Sequence, residues 1–188
     1  MQTATGLPRA TAHRLAVALE THGMLRRDDD GRFDLGPELA SLGRTATERF
    51  PLAGLALPAL EALRAATDES VQLFVREGSH RRCVVSLQSP HALRWIVPEG
   101  VLFPLDVGSA GRVLSGETSE PGWIASVEER EPGVASVSAP VVDGEGSLVA
   151  AVSVSGPIDR LTRDPGVRFG APVLAAAGEV ATLLGTST

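Results

Sequence analysis

What the 188-residue sequence lacks narrows its chemistry first. It has a single cysteine, Cys83, so no intramolecular disulfide can form, which fits a reducing compartment and predicts a cytoplasmic protein. Cys83 stands in the run Cys83-Val84-Val85, which reads as buried strand, so its thiol is expected to be packed and inert rather than reactive. No stretch approaches the eighteen or so uninterrupted apolar residues of a membrane span, and residues 1–12 hold no apolar signal core, so no membrane partner is expected. Catalytic signatures are missing as well: there is no P-loop, no H-E-x-x-H and no Rossmann glycine pattern. Gly108-Ser109-Ala110-Gly111 is not the G-x-S-x-G elbow of a hydrolase, and His13, His22, His80 and His91 have no metal or triad context. No catalytic residue, metal ligand or cofactor is therefore expected. Lysine is absent too, all seventeen basic residues being Arg.

What is present can fold. The chain is 43% apolar, enough to bury a core and to exclude wholesale disorder. Its net charge of −6 is unevenly spread: residues 1–50 carry seven Arg and seven acids, the rest ten Arg and sixteen acids. The acidity lies in the second part, and the first part is free to meet a polyanion.

The pattern along the chain predicts the elements. Gly6-Leu7-Pro8 is a turn with Pro entering a helix that runs to about Thr21. Ala12, Leu15, Ala16 and Leu19 form one stripe at helical spacing, expected to pack, while Arg9, Ala10, His13, Arg14 and Val17 lie opposite. Gly23 ends the helix. Residues 24–27 and 32–35 read as a hairpin around the Asp-rich tip at 28–31, and residues 38–49 as a helix. Beyond Pro51 the pattern predicts a helix over 52–67, strands over 71–75, 82–88 and 93–97, and a short helix over 106–114. Paired strands over 136–142 and 148–155 and a closing helix over 167–184 complete it. The second part is thus α+β with a largely antiparallel sheet.

A helix, a hairpin with Arg on both arms and a further helix follow in the order of a recognition helix and wing. A helix fits the major groove, and Arg bonds guanine or neutralises phosphate. Arg9, Thr11, His13 and Arg14 on the helix and Arg32 on the hairpin are the candidate contacts. Exposed Arg on an amphipathic helix is also what an ordinary solvated face carries, and charge pattern alone does not separate the two.

The words of the sequence do. TGLPRATAHRLAVALETHGMLRRDDDGRFDLGPELASLGR resembles the IclR family of bacterial regulators, as does EREPGVASVSAPVVDGEGSLVAAVSVSGPIDRLT. SVQLFVREGSHRRCVVSLQSPHALRW and PLDVGSAGRVLSG resemble the family's central strands and short helix. The resemblance spans nearly the whole chain in order. It implies a partial winged helix-turn-helix over 1–36, a linker and dimerisation helix over 37–50, and a GAF-like effector-binding domain over 51–188. It further implies a homodimer or dimer of dimers on a palindromic operator in double-stranded DNA, acting as a repressor modulated by a small organic or aromatic acid.

Two departures stand out. The family's first helix and most of its second are absent before the recognition helix, so the alternative expectation is an effector-sensing dimeric module that has lost DNA binding. Between Arg112 and Glu129 the family places several helical turns that this sequence lacks, so a reduced cover over the pocket is expected.

The resemblance also places a pocket. It implies Ser109 and Ala110 at the start of the short helix, whose backbone N–H groups suit a carboxylate. It implies Ser126, Ser136, Ser153 and Ser155 on the sheet. Period two puts Ser153 and Ser155 on one face, although each hydroxyl could equally be satisfied by backbone. Leu93, Trp95, Val107 and Val134 are candidate apolar walls, with core packing the other role open to Trp95. With no Arg among these positions, the anion is expected to be held by neutral dipoles and with modest affinity.

Overall fold

The computed structural model describes residues 6–49 and 51–186, so the first residues of the expected DNA-binding module and Phe50 of the expected linker lie outside the described residues. The chain forms two compact units, one up to Pro51 and one from Leu52 onward.

In the first unit, helix α1 (Arg9–Thr21) follows Pro8 and ends where Gly23 turns left-handed, with Met24 N–H bonding back to Leu19 O at 2.9 Å. Strands β1 (Leu25–Arg27) and β2 (Phe33–Leu35) pair antiparallel, Leu25 facing Leu35. At the tip the Asp28 carboxylate accepts N–H bonds from Asp30 and Arg32 at 3.1 and 2.7 Å, the local bonding that makes Asp a turn former. Helix α2 (Pro37–Arg49) closes the unit. The expected apolar stripe is only half spent: Ala12 and Ala16 are buried, but Leu15 is 50% exposed and Leu19 36%. Strands of three residues are too short to shield a stripe running the length of α1.

The second unit begins with α3 (Leu52–Thr67), then β3 (Ser70–Glu77), β4 (His80–Leu87), β5 (Leu102–Pro104) and α4 (Ser109–Leu114). There follow β6 (Ile124–Val127), β7 (Val134–Val142), β8 (Leu148–Pro157), α5 (Ile158–Leu161) and α6 (Pro165–Gly185). The six strands form one antiparallel sheet in the order β5-β4-β3-β8-β7-β6, the α+β architecture the pattern predicts.

Alternation gives the sheet two different faces. Val71, Leu73, Ala135, Val137, Val152 and Val154 point to one side and pack with Leu60 and Leu63 of α3 and Phe169, Val173 and Val180 of α6. That burial is the main cohesive term, at about 25 cal/mol per Å² of apolar surface removed from water. Helix α6 is long and apolar enough to cross a membrane by length and composition, although Arg168 and Glu179 interrupt its apolar run. Here its apolar stripe is spent on the sheet. The opposite sheet face carries Phe74, Cys83 and Ala151 against Ala110, Val113 and Leu114 of α4.

Two expectations fail. Residues 93–97 form no strand; they lie in an irregular connection, with Leu93 exposed. β5 pairs with only the first residues of β4, His80 facing Pro104 and Arg82 facing Leu102, and farther along that edge the Ser86 N–H is taken by the Glu99 carboxylate at 3.0 Å rather than by a strand. Strands β5 and β6 are too short to show a period, and only the resemblance placed Ser126 of β6 on the sheet. The short helix also starts at Ser109 rather than Asp106, because Gly108 takes a φ of 78°.

Candidate effector site

The residues that face one another across the sheet's polar side are set by register. One row runs Ser126, Ser136, Ser155, Ser70 from β6 to β3. The next runs Ser138, Ser153, Gln72 across β7, β8 and β3. Directly opposed residues share a face, so the strands lay down a floor of short polar groups. Above it, Ser70 Oγ donates to Trp95 O at 2.8 Å and anchors the irregular connection that carries Trp95. On the α4 side, α4 itself stands over the floor.

Between these parts lies a small, partly open cavity. Of the expected positions, Ser109, Ala110, Ser126, Ser136, Ser153, Ser155, Trp95 and Val134 line it. Leu93 and Val107 do not. Gly108, in the expected helix start, lines it too, and so do Gln72, Phe74, Arg81, Val97, Arg130 and Glu131, which were missed. The connection from α4 to β6, residues 115–123, contains no helix.

The floor hydroxyls form a chain. Ser138 Oγ donates to Ser153 Oγ at 2.9 Å. Ser109 Oγ lies 2.7 Å from both Ser136 Oγ and Ser138 Oγ. A hydroxyl has one proton. With that of Ser138 given to Ser153, Ser109 donates to Ser138 and Ser136 to Ser109. The Ser153 proton is left over at the end of a polarised chain. Ser155 Oγ donates to Gln72 Oε1 at 2.8 Å.

The remaining donors are unspent. Among the described residues, Gln72 Nε2, Arg81 Nε and Trp95 Nε1 are buried without a hydrogen-bond partner, and all three residues belong to the cavity wall. Such groups are uncommon and costly, roughly 1–3 kcal/mol each for a neutral donor. Arg81 is only 2% exposed; its Nη1 donates to Pro104 O and its guanidinium lies 5.6 Å from the Phe74 ring centre. Arg130 lies over Phe103 at 4.3 Å and Trp95 at 5.0 Å. Neither forms an ion pair with a described residue. Burial, and then the Arg130 charge, bring the Arg81 guanidinium down to about 10. Burial likewise lowers Arg130. The expectation of a wall without Arg is therefore overturned: β4 turns Arg81 inward beside Cys83, and a loop brings in Arg130. The first of these was legible, since Arg81 and Cys83 are two residues apart on one strand and so share a face.

The start of α4 is not fully free either. Gly108 N–H donates to Glu129 Oε2 at 3.0 Å, and Glu129 Oε1 pairs with Arg112 at 3.1 Å.

On the first unit, Arg9, His13 and Arg14 are exposed on α1 and Thr11 is half-buried. Arg9 and Arg14 form no ion pair with a described residue, which leaves both charges available. His13 meets Phe33 of the hairpin edge-on at 6.1 Å, so part of its ring is engaged. Arg32 is exposed at the tip, 3.7 Å from Asp30. Arg27 is held by Glu20 at 3.1 Å and over Phe33 at 4.5 Å.

Known proteins match this layout. The bacterial transcriptional regulator IclR C-terminal family matches residues 44–119 and 116–182, and the IclR helix-turn-helix domain matches residues 1–29. The glycerol operon regulatory protein of Streptomyces coelicolor is 30% identical over 92% of this chain and 80% of its own length. The transcriptional repressor IclR of Escherichia coli is 25% identical over 96% of this chain and 80% of its own. In fold, the chain superposes on an IclR homolog complexed with 4-hydroxybenzoate from Microbacterium hydrocarbonoxydans. The TM-score is 0.82 at 22% identity, covering 100% of this chain and 90% of that one.

Proposed function

The chain belongs to the IclR family of DNA-binding transcriptional regulators, and from that premise we propose that it is a repressor whose operator binding is set by a small organic or aromatic acid in the sheet cavity. It acts as a homodimer or dimer of dimers on a palindromic operator, since one recognition helix gives little affinity and a two-fold assembly matches two half-sites. Helix α1 enters the major groove with Arg9, Thr11, His13 and Arg14, and Arg32 at the hairpin tip meets the flanking backbone. The acid lies between Ser109 and Ala110 of α4 and the hydroxyls of Ser126, Ser136, Ser153 and Ser155, with Trp95 and Val134 as walls. It switches the protein by binding the DNA-competent and DNA-incompetent states unequally.

One observation carries the effector reading: three residues of the cavity wall, Gln72, Arg81 and Trp95, each hold a buried donor with no partner among the described residues, a cost that an acceptor-rich ligand would relieve. The repressor name of the Escherichia coli relative supports the direction of the output, and the ligand of the Microbacterium structure supplies the first probe.

The test is calorimetry with 4-hydroxybenzoate, benzoate and pyruvate on the wild type and on a Ser153→Ala, Ser155→Ala double variant, beside anisotropy on a palindromic operator selected from random DNA. Acid binding that the double variant weakens, and that changes operator affinity, is the expected result. Acid binding unchanged in the double variant places the effector elsewhere. Acid binding with no operator binding at all identifies a sensing module without DNA function.

A further inference from the structure

We infer that the acidic group of the effector is received by the Arg81 and Arg130 guanidiniums rather than by the backbone N–H groups that open α4, and that Ser153 and Gln72 hold a second acceptor on the same molecule. This rests on the cavity being the effector site.

The α4 end already contains a carboxylate. Glu129 accepts the Gly108 N–H, so a second anion there would face a like charge at short range. The helix is one and a half turns long, and its dipole offers little to set against that repulsion. The guanidiniums have the opposite imbalance, although Arg81 lies close by: its Nη2 is 3.5 Å from where a Cβ on Gly108 would stand. Arg81 and Arg130 both line the cavity, neither is ion-paired to a described residue, and the Arg81 Nε–H has no acceptor. Burying a guanidinium with only the distant charge of Asp106 to set against it is costly, and an entering carboxylate relieves it. Arg also offers the planar fork that matches a carboxylate with two hydrogen bonds.

Both guanidiniums are held in place before any ligand arrives. Arg81 is fixed by its bond to Pro104 O and by the faces of Phe74 and Phe103; Arg130 rests between Trp95 and Phe103. Burial lowers the proton affinity of both, and the Arg130 charge lowers that of Arg81 further. Glu131 also lines the cavity and offsets part of the Arg130 charge, so the site suits one carboxylate at this end.

The second donor set lies on the floor. The Ser153 proton is the free end of the hydroxyl chain, and Gln72 Nε2 is unspent while its oxygen accepts from Ser155. Between the two donor sets stands Phe74, two residues along β3 from Gln72, which is about 7 Å of strand. The ligand class that fits is a monocarboxylate with an apolar middle and a hydroxyl or carbonyl oxygen at its far end.

The test compares acids with their neutral amides: 4-hydroxybenzoate with 4-hydroxybenzamide, benzoate with benzamide, and pyruvate with pyruvamide. Binding is measured by calorimetry on the wild type, Arg81→Gln, Arg130→Gln, Arg130→Lys and the Ser153→Ala, Ser155→Ala double variant, with thermal unfolding as the check on folding. The expected result is an acid-over-amide preference that falls about ten- to a hundredfold in Arg130→Gln, the worth of one charge-assisted hydrogen bond, and returns in part in Arg130→Lys. The double serine variant should weaken acid and amide alike. A preference left intact in both Gln variants, while the serine variant still loses binding, overturns this assignment and leaves the cavity as the site. Acid affinity unchanged by the serine variant, or no acid binding to the wild type, overturns the cavity reading and this assignment with it.

Discussion

Ser138 Oγ donates to Ser153 Oγ at 2.9 Å across the paired strands β7 and β8, and this bond sets the direction of the whole hydroxyl chain on the cavity floor. Ser138 is fully buried and points at the site only through its neighbours. Replacing it with Ala leaves Ser109 and Ser153 each short of a partner. We expect Ser138→Ala to cost about 1–3 kcal/mol of stability, the price of leaving buried hydroxyls unsatisfied. It should also weaken acid binding, because the Ser153 proton is no longer committed outward. Chemical denaturation and calorimetry check both effects. Unchanged acid affinity in a destabilised variant would mean that the chain is structural only.

The DNA contacts separate by what they meet. Arg14→Ala should weaken operator binding by about 1–3 kcal/mol and relax sequence preference, as loss of a base contact does. Arg32→Ala, at an exposed tip, should reduce the salt dependence of binding by about one unit of slope and leave sequence preference intact. Anisotropy titrations over a salt series distinguish the two. If neither variant changes binding, α1 and the hairpin tip do not face the DNA.

Gly166 and Gly170 lie one turn apart on α6 directly against the Trp123 indole, where a Cβ on Gly170 would come within 2.4 Å of ring atoms. The indole cannot yield without leaving its place beside the core. Gly170→Ala should therefore lower stability by about 1–3 kcal/mol despite the better helix propensity of Ala. Thermal unfolding followed by tryptophan fluorescence reports both the loss and the displaced ring. A gain in stability would show that α6 packs differently here.

Cys83 is fully buried, and burial pushes its thiol up to about 12. Iodoacetamide at pH 8 should leave the native protein unmodified and label it fully in denaturant, as mass spectrometry can read. The pH sign follows. The folded value exceeds the unfolded value of about 8.5, so the native state keeps this proton more tightly. The stability it contributes is present below pH 8.5 and is lost as pH rises towards 12. Rapid native labelling would contradict the packing of β4.

Much of this molecule is local. The helix of α1 between Pro8 and Gly23, the Asp-rich hairpin, the paired strands β7 and β8, and α6 all follow from periodicity and turn chemistry, which act over a few residues. Ser153 and Ser155 were placed on one polar face by period two alone, and the same alternation, applied to Ser136 and Ser138, was there to be used. Tertiary structure decided the rest. Residues 93–97 have the composition of a strand but form none; the Trp95 carbonyl is held by the Ser70 hydroxyl from β3, a long-range bond that no local pattern records. Leu15 and Leu19 have the spacing of a core but no described residue over them sufficient to bury them. Arg81 and Arg130 are 49 residues apart in the chain and meet only because β4 and the β6–β7 loop converge on Phe103. Sequence patterning determined which residues could face the cavity; the charge inside it depends on long-range packing, which periodicity does not encode.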